Sequence, residues 1–194
     1  MKKAILTILT IILISSCLFA SNTFNITLGA TAAYQKARLG EVETVKVEEL
    51  KWEDFKFGVD ASVKLLVLEV NAKSFIAKDT DGKTMLNGIV SANLAIDIIF
   101  ARAKLGLGYQ YTYDTVSKEY LFGRGVNNYA DFKNAEFDIY TGVDFRVGNV
   151  VFGIYGTLPT GVSIEKNNWE DLVSTVSDNW EDAQVGISLG VDLI

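Results

Sequence analysis

The most informative absence in this chain is histidine, which does not occur once in 194 residues. Histidine is the side chain best matched to proton transfer near neutral pH. The chain also has a single cysteine, Cys17, so no intramolecular disulfide bond can form, and the usual nucleophile–base pairs and zinc sites cannot be assembled. We therefore expect a protein that is not an enzyme and that has no catalytic residue, metal site or cofactor, although a mechanism that uses only aspartate or glutamate stays formally open.

Long hydrophobic runs are scarce as well, although 49% of the residues are hydrophobic. The one continuous run, at residues 4–14, follows two lysines and precedes a small-residue stretch that ends at Ala20. This arrangement predicts a secretory signal peptide over residues 1–20, which leaves residues 21–194 as a single domain. Alternatively, the stretch that ends at Cys17 resembles a bacterial lipobox, in which Cys17 would carry lipid.

Proline occurs once, at Pro159, and most of the chain alternates apolar and polar residues, as a half-buried strand does. In residues 55–74 the apolar positions change from odd to even across a predicted tight turn at Lys64-Leu65. Such a change keeps every apolar side chain on one face of a hairpin. The same change recurs at Asp97-Ile98 and at Gly148-Asn149, so the sequence predicts three hairpins with two-residue turns.

The alternation predicts eight strands, of which the seventh is expected to end at Pro159. Tight turns alternate with four long connections of about a dozen to about twenty residues. In an up-and-down barrel this order places all tight turns at one end and all long loops at the other. We therefore predict an all-β fold, an eight-stranded antiparallel up-and-down transmembrane barrel.

Alternation alone does not decide which face of the barrel is the outer one. A soluble lipocalin-like barrel buries its apolar face, whereas an outer-membrane barrel turns that face to lipid and its polar face to a narrow lumen. The polar face is rich in glycine, alanine and serine, and aromatic residues of the apolar face gather near strand ends, which favours the membrane arrangement. The aromatic residues are Tyr34, Phe55, Phe57, Tyr109, Tyr111, Tyr113 and Phe137 at the long-loop end, and Phe24, Phe145 and Phe152 at the tight-turn end.

In the membrane arrangement, charged residues of both signs face the lumen. An eight-stranded lumen is only wide enough for side chains to fill it, and buried charges persist when they are paired. We therefore predict a closed plug of ion pairs rather than a conducting path. The predicted lumen charge network consists of Lys56, Asp60, Glu69, Asp97, Arg102, Lys104, Asp138, Asp144 and Arg146; the same face also carries Lys64, Lys73, Glu136 and Asp192.

The sequence Trp-Glu-Asp occurs three times, at residues 52–54, 169–171 and 180–182, in or beside predicted long loops. We interpret each tryptophan as an interfacial anchor and the acids as solvated loop residues. The alternative is an acidic outer rim that binds divalent ions or a surface partner. Without Lys2 and Lys3, 16 basic residues stand against 24 acidic ones, which argues against nucleic acid as a partner.

In architecture, residues 24–194 resemble the small eight-stranded bacterial outer-membrane barrels of the OmpA, OmpX and OmpW type. The C-terminal stretch is similar to the signal that the barrel assembly machinery reads in such families, although those families usually end on an aromatic residue and this chain ends on Ile194. The residues that match this signal are Gln184, Gly186, Leu189 and Val191.

The resemblance implies a monomer in the bacterial outer membrane, in contact with outer-membrane lipid, the barrel assembly machinery and a surface or envelope protein. It implies a structural or surface-interaction role through four long extracellular loops. Two alternatives stay open: a narrow pore for small solutes, similar to the OmpW type, and a soluble lipocalin-like barrel that binds lipid.

Overall fold

The computed structural model describes residues 23–34, 55–78, 84–98, 100–116, 118–122, 133–166, 169–172, 179 and 182–194. The predicted signal peptide, the alternative lipid site at Cys17 and the first Trp-Glu-Asp sequence lie outside the described residues. Within the described ranges, no helix is long and apolar enough to cross a membrane.

Eight strands close into an antiparallel barrel, and a ninth, short strand extends its wall. The strands among the described residues are β1 Phe24–Tyr34, β2 Phe55–Leu65, β3 Leu68–Lys78, β4 Thr84–Ile98, β5 Ala101–Asp114, β6 Glu119–Phe122, β7 Glu136–Val147, β8 Val150–Ser163 and β9 Gln184–Asp192. Neighbours in the chain pair with one another except β6 and β7. β5 pairs with β7, the β1–β9 pairing closes the ring, and β6 pairs with β5 at residues 111–114. The predicted eight-stranded up-and-down barrel is confirmed.

Three two-residue turns lie at one end of the barrel, as predicted, but two of them are displaced along the chain. The β7–β8 turn is Gly148-Asn149, as predicted. The other two predicted turns are wrong by two residues, because Leu65 pairs with Leu68 and Ile98 pairs with Ala101. β2 and β4 continue past the predicted turns because the inward residues at those turns, Lys64 and Asp97, are charged and pair with each other inside the barrel.

The tight turns are tied by backbone hydrogen bonds to the next strand of the ring. The carbonyl oxygens of Val67, Phe100 and Asn149 accept hydrogen bonds from the amides of Ala95, Arg146 and Asp192, each at 2.8 Å. In the β2–β3 turn, the amide of Leu66 donates to Thr23 at 2.6 Å. The turn end of the barrel therefore has a continuous hydrogen-bonded rim.

At the opposite end, three connections are long and one is short. The β3–β4 connection contains only residues 79–83, so the prediction of four long loops is wrong at this position. Both flanking strands are longer than their sequences indicated, because apolar residues such as Ile76 and Met85 continue the pairing on both sides of the connection. The long connections are residues 35–54, 115–135, which include β6, and 164–183.

Pro159 lies inside β8 and does not end it, contrary to the prediction. The pairing of β9 with β8 reaches only Thr157, so Pro159 has β7 as its one strand neighbour, and the register between β7 and β8 is irregular between Glu136 and Asp138. Proline has no amide hydrogen to donate, and a position with a single neighbour tolerates that loss.

The apolar face of the barrel is its outer face. Outward side chains such as Val59 and Leu105 are 65% and 59% exposed, whereas the inward Lys64 and Arg102 are 1% and 0% exposed. This is the inverse of a water-soluble β-barrel, whose core collects the apolar side chains.

Candidate functional site in the barrel lumen

Asp97, near the end of β4, is the acid on which cations from three other strands converge. Its carboxylate accepts a hydrogen bond from Arg102 Nε at 2.6 Å and forms an ion pair with Lys64. Arg146 Nη1 lies 3.9 Å from the same carboxylate, and Arg146 also pairs with Asp192 at 3.4 Å. These contacts connect β2, β4, β5, β7 and β9 inside the turn half of the barrel.

Glu69 on β3 is the second branching point, and its side chain is fully buried. One carboxylate oxygen lies 3.2 Å from Arg102 Nη1 and the other lies 2.7 Å from Lys104 Nζ. Lys104 in turn contacts Asp144 at 2.6 Å. Glu69 thus links the cluster around Asp97 to the opposite wall of the barrel.

The ion-paired cluster of the lumen is electrically balanced. A further pair, Lys73 with Asp60, lies nearer the loop end. Five basic side chains face five acidic ones: Lys64, Lys73, Arg102, Lys104 and Arg146 against Asp60, Glu69, Asp97, Asp144 and Asp192. Removing so many charges from water is tolerable only when each has a partner, and here each has one.

The structure brings together seven residues of the predicted network and places the other two outside the ion-paired cluster. Asp138 accepts a hydrogen bond from Gln110 at 2.7 Å in the loop half of the lumen. Lys56 is half-buried at the loop end of β2, and no ion pair joins it to another residue of the described ranges. The joined residues are Asp60, Glu69, Asp97, Arg102, Lys104, Asp144 and Arg146.

Aromatic side chains fill the loop half of the lumen, which was not expected from the sequence. The rings of Tyr140 and Tyr155 stack with centroids 5.9 Å apart, and Lys73 Nζ lies 4.3 Å from the centre of the Tyr155 ring. The Tyr155 hydroxyl and Thr31 Oγ1 are 3.0 Å apart. Together with Phe75, these buried groups form an aromatic layer above the ion pairs.

Glycine is the sequence signal that could have revealed this layer. Tyr155 has the inward parity of β8, and its partner across the strands is Gly186 on β9. A Cβ atom at Gly186 would meet the Tyr155 ring at 2.4 Å, so only glycine leaves room for the ring. A large aromatic residue opposite a glycine on the polar face therefore indicates a side chain that lies across a narrow lumen.

Large buried side chains occupy the lumen. Arg102, Tyr140 and Lys64 are among its largest fully buried side chains. In the part of the chain that the structure describes, no group of three or more histidine, cysteine, aspartate or glutamate residues could hold a metal ion. With its charges paired to one another and its cross-section filled, this arrangement can seal and stiffen the barrel.

Aromatic rings lie on the outer surface near both ends. At the loop end, Phe137 lies 4.4 Å from Tyr109 and 5.2 Å from Trp169 between ring centroids, and Tyr34 lies 5.2 Å from Phe55. Trp169 begins the short 3₁₀ helix Trp169–Asp171. Through the contact of its ring with Phe137, the second Trp-Glu-Asp sequence holds its loop against the aromatic residues of the loop end. At the turn end, Phe145 and Phe152 are cross-strand partners and Phe24 is exposed.

Comparisons with protein-family models, with curated proteins and with solved structures give no match to this chain.

Proposed function

We propose that this protein is an integral outer-membrane β-barrel of a bacterium, monomeric, with a structural role in the membrane and a surface-interaction role at its loop end. The observation that carries the proposal is the inverted surface, with exposed apolar side chains outside and paired charges inside. A water-soluble monomer rarely exposes a contiguous apolar patch of more than a few hundred Å². Lipid is the solvent in which this outer surface is stable.

The dimensions of the apolar surface support the proposal. Phe137 and Phe145 mark the two aromatic levels and lie eight positions apart on β7. On a strand tilted by about 40° this separation rises about 20 Å along the barrel axis. An outer-membrane barrel has an apolar band about 25 Å tall between aromatic girdles. Ring closure adds a second support, because lipid cannot satisfy the backbone groups of an open sheet edge.

The alternatives account less well for the lumen. A soluble lipid-binding barrel needs an apolar interior, and Glu69 and Arg102 occupy the interior of this one. A pore for small solutes needs a continuous polar path, and Tyr140 and Tyr155 lie across it. The surface role is assigned to the loop end, where three long connections and Trp169 lie and where a surface or envelope partner would have access.

The first test compares folding in detergent with folding in water. Residues 21–194 are refolded from urea into micelles and into plain buffer, and both samples are examined by far-UV circular dichroism and by gel mobility with and without boiling. We expect strand signal and a heat-dependent mobility shift only in micelles. A monomeric β-protein that is soluble in plain buffer would overturn the proposal.

Two matched variants sharpen the test. Leu105 and Val116 are 59% and 65% exposed, but only Leu105 lies within the apolar band of the wall. In a bilayer, Leu105→Arg should cost about 2–4 kcal/mol of folding free energy, whereas Val116→Arg should change it little. In a soluble barrel both arginines would reach water, and the two variants would fold equally well.

A further inference from the structure

Two of the three tight turns carry large apolar side chains where turns ordinarily carry glycine, asparagine or aspartate. The β2–β3 turn is Leu66-Val67, and Leu66 has a φ of 58°, a conformation that leucine rarely adopts. The β4–β5 connection contains Phe100. The third turn, Gly148-Asn149, has the expected composition, with a φ of 61° at Gly148.

These apolar turns continue the apolar outer surface to its very end on one side of the barrel. Leu66 and Phe100 are 43% and 62% exposed, and the adjacent Leu65 and Ile98 are 59% and 57% exposed. β2, β3, β4 and β5 are neighbours in the ring, so the two turns lie side by side. The next turn around the ring, between β7 and β8, ends in the exposed Gly148 and Asn149, and is flanked by Val147 and Val150, which are 80% and 50% exposed.

The backbone of the two turns is also suited to a water-free environment. The amide of Leu66 donates to Thr23, and the carbonyl groups of Val67 and Phe100 accept from the neighbouring strands. An unsatisfied backbone group is costly in hydrocarbon. The rim satisfies these polar groups internally, as it does the carbonyl of Asn149, so the backbone permits contact with lipid but does not by itself distinguish the turns.

Distances along β5 and β7 place Phe100 and Gly148 at different depths. Tyr109 on β5 and Phe137 on β7 are in ring contact and mark one level at the loop end. Phe100 is nine positions from Tyr109, and Gly148 is eleven positions from Phe137. On strands tilted by about 40°, nine positions correspond to about 23 Å along the barrel axis and eleven positions to about 28 Å. The apolar band of an outer-membrane barrel is about 25 Å tall.

We infer that the β2–β3 and β4–β5 turns are embedded in lipid, with Leu66 and Phe100 among the acyl chains of the near leaflet, while the β7–β8 turn extends into water. The barrel is thus immersed unequally around its circumference. The lipid occupant follows from the continuity of these turns with the outer apolar surface and from their satisfied backbone. This inference rests on the proposed membrane location.

The test uses single-cysteine variants of residues 21–194, which contain no other cysteine because Cys17 is the only one in the sequence. Leu66→Cys, Phe100→Cys, Asn149→Cys and Leu105→Cys are each labelled with an environment-sensitive fluorophore and reconstituted in phosphatidylcholine vesicles. Leu105, in the middle of the outer wall, is the reference for membrane insertion. The heat-dependent gel shift verifies that each variant is folded, and Leu66 and Phe100 test the inference independently.

We expect blue-shifted emission and quenching by spin-labelled lipid at positions 66, 100 and 105, and water-like emission with quenching by iodide at position 149. If the label at position 105 is not quenched by lipid, the membrane location itself fails. If position 105 is quenched but positions 66 and 100 behave like position 149, only the present inference fails, and these turns face water or a water-soluble partner. Lipid quenching at all four positions would overturn the unequal immersion.

Discussion

At the scale of single residues, the barrel depends on charges that have no access to water. Glu69 holds both Arg102 and Lys104, and its side chain is fully buried. Glu69→Gln should lower the free energy of unfolding by about 3 kcal/mol, because it leaves two buried cations with one partner fewer each. Urea unfolding in micelles, followed by circular dichroism, measures this loss.

The matched control is the ion pair between Glu136 and Lys166, whose side chains are 45% and 54% exposed and 2.7 Å apart. Glu136→Gln makes the same chemical change where water can replace the lost partner, so it should cost less than about 1 kcal/mol. Equal costs for the two glutamine variants would mean that the lumen is hydrated and that its ion pairs do not hold the barrel together.

The sequence predicted the inward charges well and the inward rings poorly, for a physical reason. Alternation assigns a residue to a face, so Glu69 and Arg102 could be placed in the lumen from parity alone. Whether a ring such as that of Tyr155 fits across the lumen depends on the residue opposite it, here Gly186, and that pairing requires the register between strands. The odd or even position of a residue in a strand shows which face it lies on, but not which residue lies opposite it on the neighbouring strand.

At the scale of whole elements, strand number and order were predictable, while strand ends were not. Around Leu66-Val67 four apolar residues follow one another, so the change of parity shows that the chain reverses there but not which two residues form the turn. Gly148-Asn149 was located correctly because its composition departs from the pattern and suits a tight turn. The prediction that β8 ends at Pro159 was wrong because a strand with one free edge accepts a proline that a central strand would not.

The added strand β6 is the element most open to a separate test. It pairs with residues 111–114 of β5, beyond the residues of β5 that pair with β7. The centroid of the Tyr120 ring lies 4.9 Å from that of Tyr113 and 6.3 Å from that of Tyr111. Each cross-strand aromatic contact contributes at most about 1 kcal/mol. Tyr120→Ser should therefore speed amide hydrogen exchange about tenfold at residues 111–114 and leave residues 101–108 unchanged.

Tyr120→Phe keeps the ring and should retain the protection of residues 111–114, which separates the ring contact from the hydroxyl group. Faster exchange throughout β5 in Tyr120→Ser would show that β6 supports the whole wall rather than its upper part. Unchanged exchange at residues 111–114 would mean that the backbone pairing holds β6 without its aromatic residue.

At the scale of the whole molecule, two layers close the lumen by different means. The turn half contains eight paired charges with no net charge, and the loop half contains the Lys73–Asp60 pair and the stacked rings of Tyr140 and Tyr155. An ion that entered from the loop end would have to displace Tyr140 and Tyr155 and then break an ion pair. Breaking a buried ion pair leaves an uncompensated buried charge, which is strongly unfavourable.

We therefore expect no steady conductance when the protein is reconstituted in a planar bilayer at neutral pH, at protein densities where a 16-stranded porin conducts readily. The heat-dependent gel shift on the same preparation confirms that the inserted protein is folded. Stable, ohmic single-channel steps from the folded protein would contradict the plugged lumen and favour the narrow pore. Steps that appear in Glu69→Gln but not in the unchanged chain would assign the seal to the ion pairs rather than to the aromatic layer, because that substitution leaves Tyr140 and Tyr155 in place.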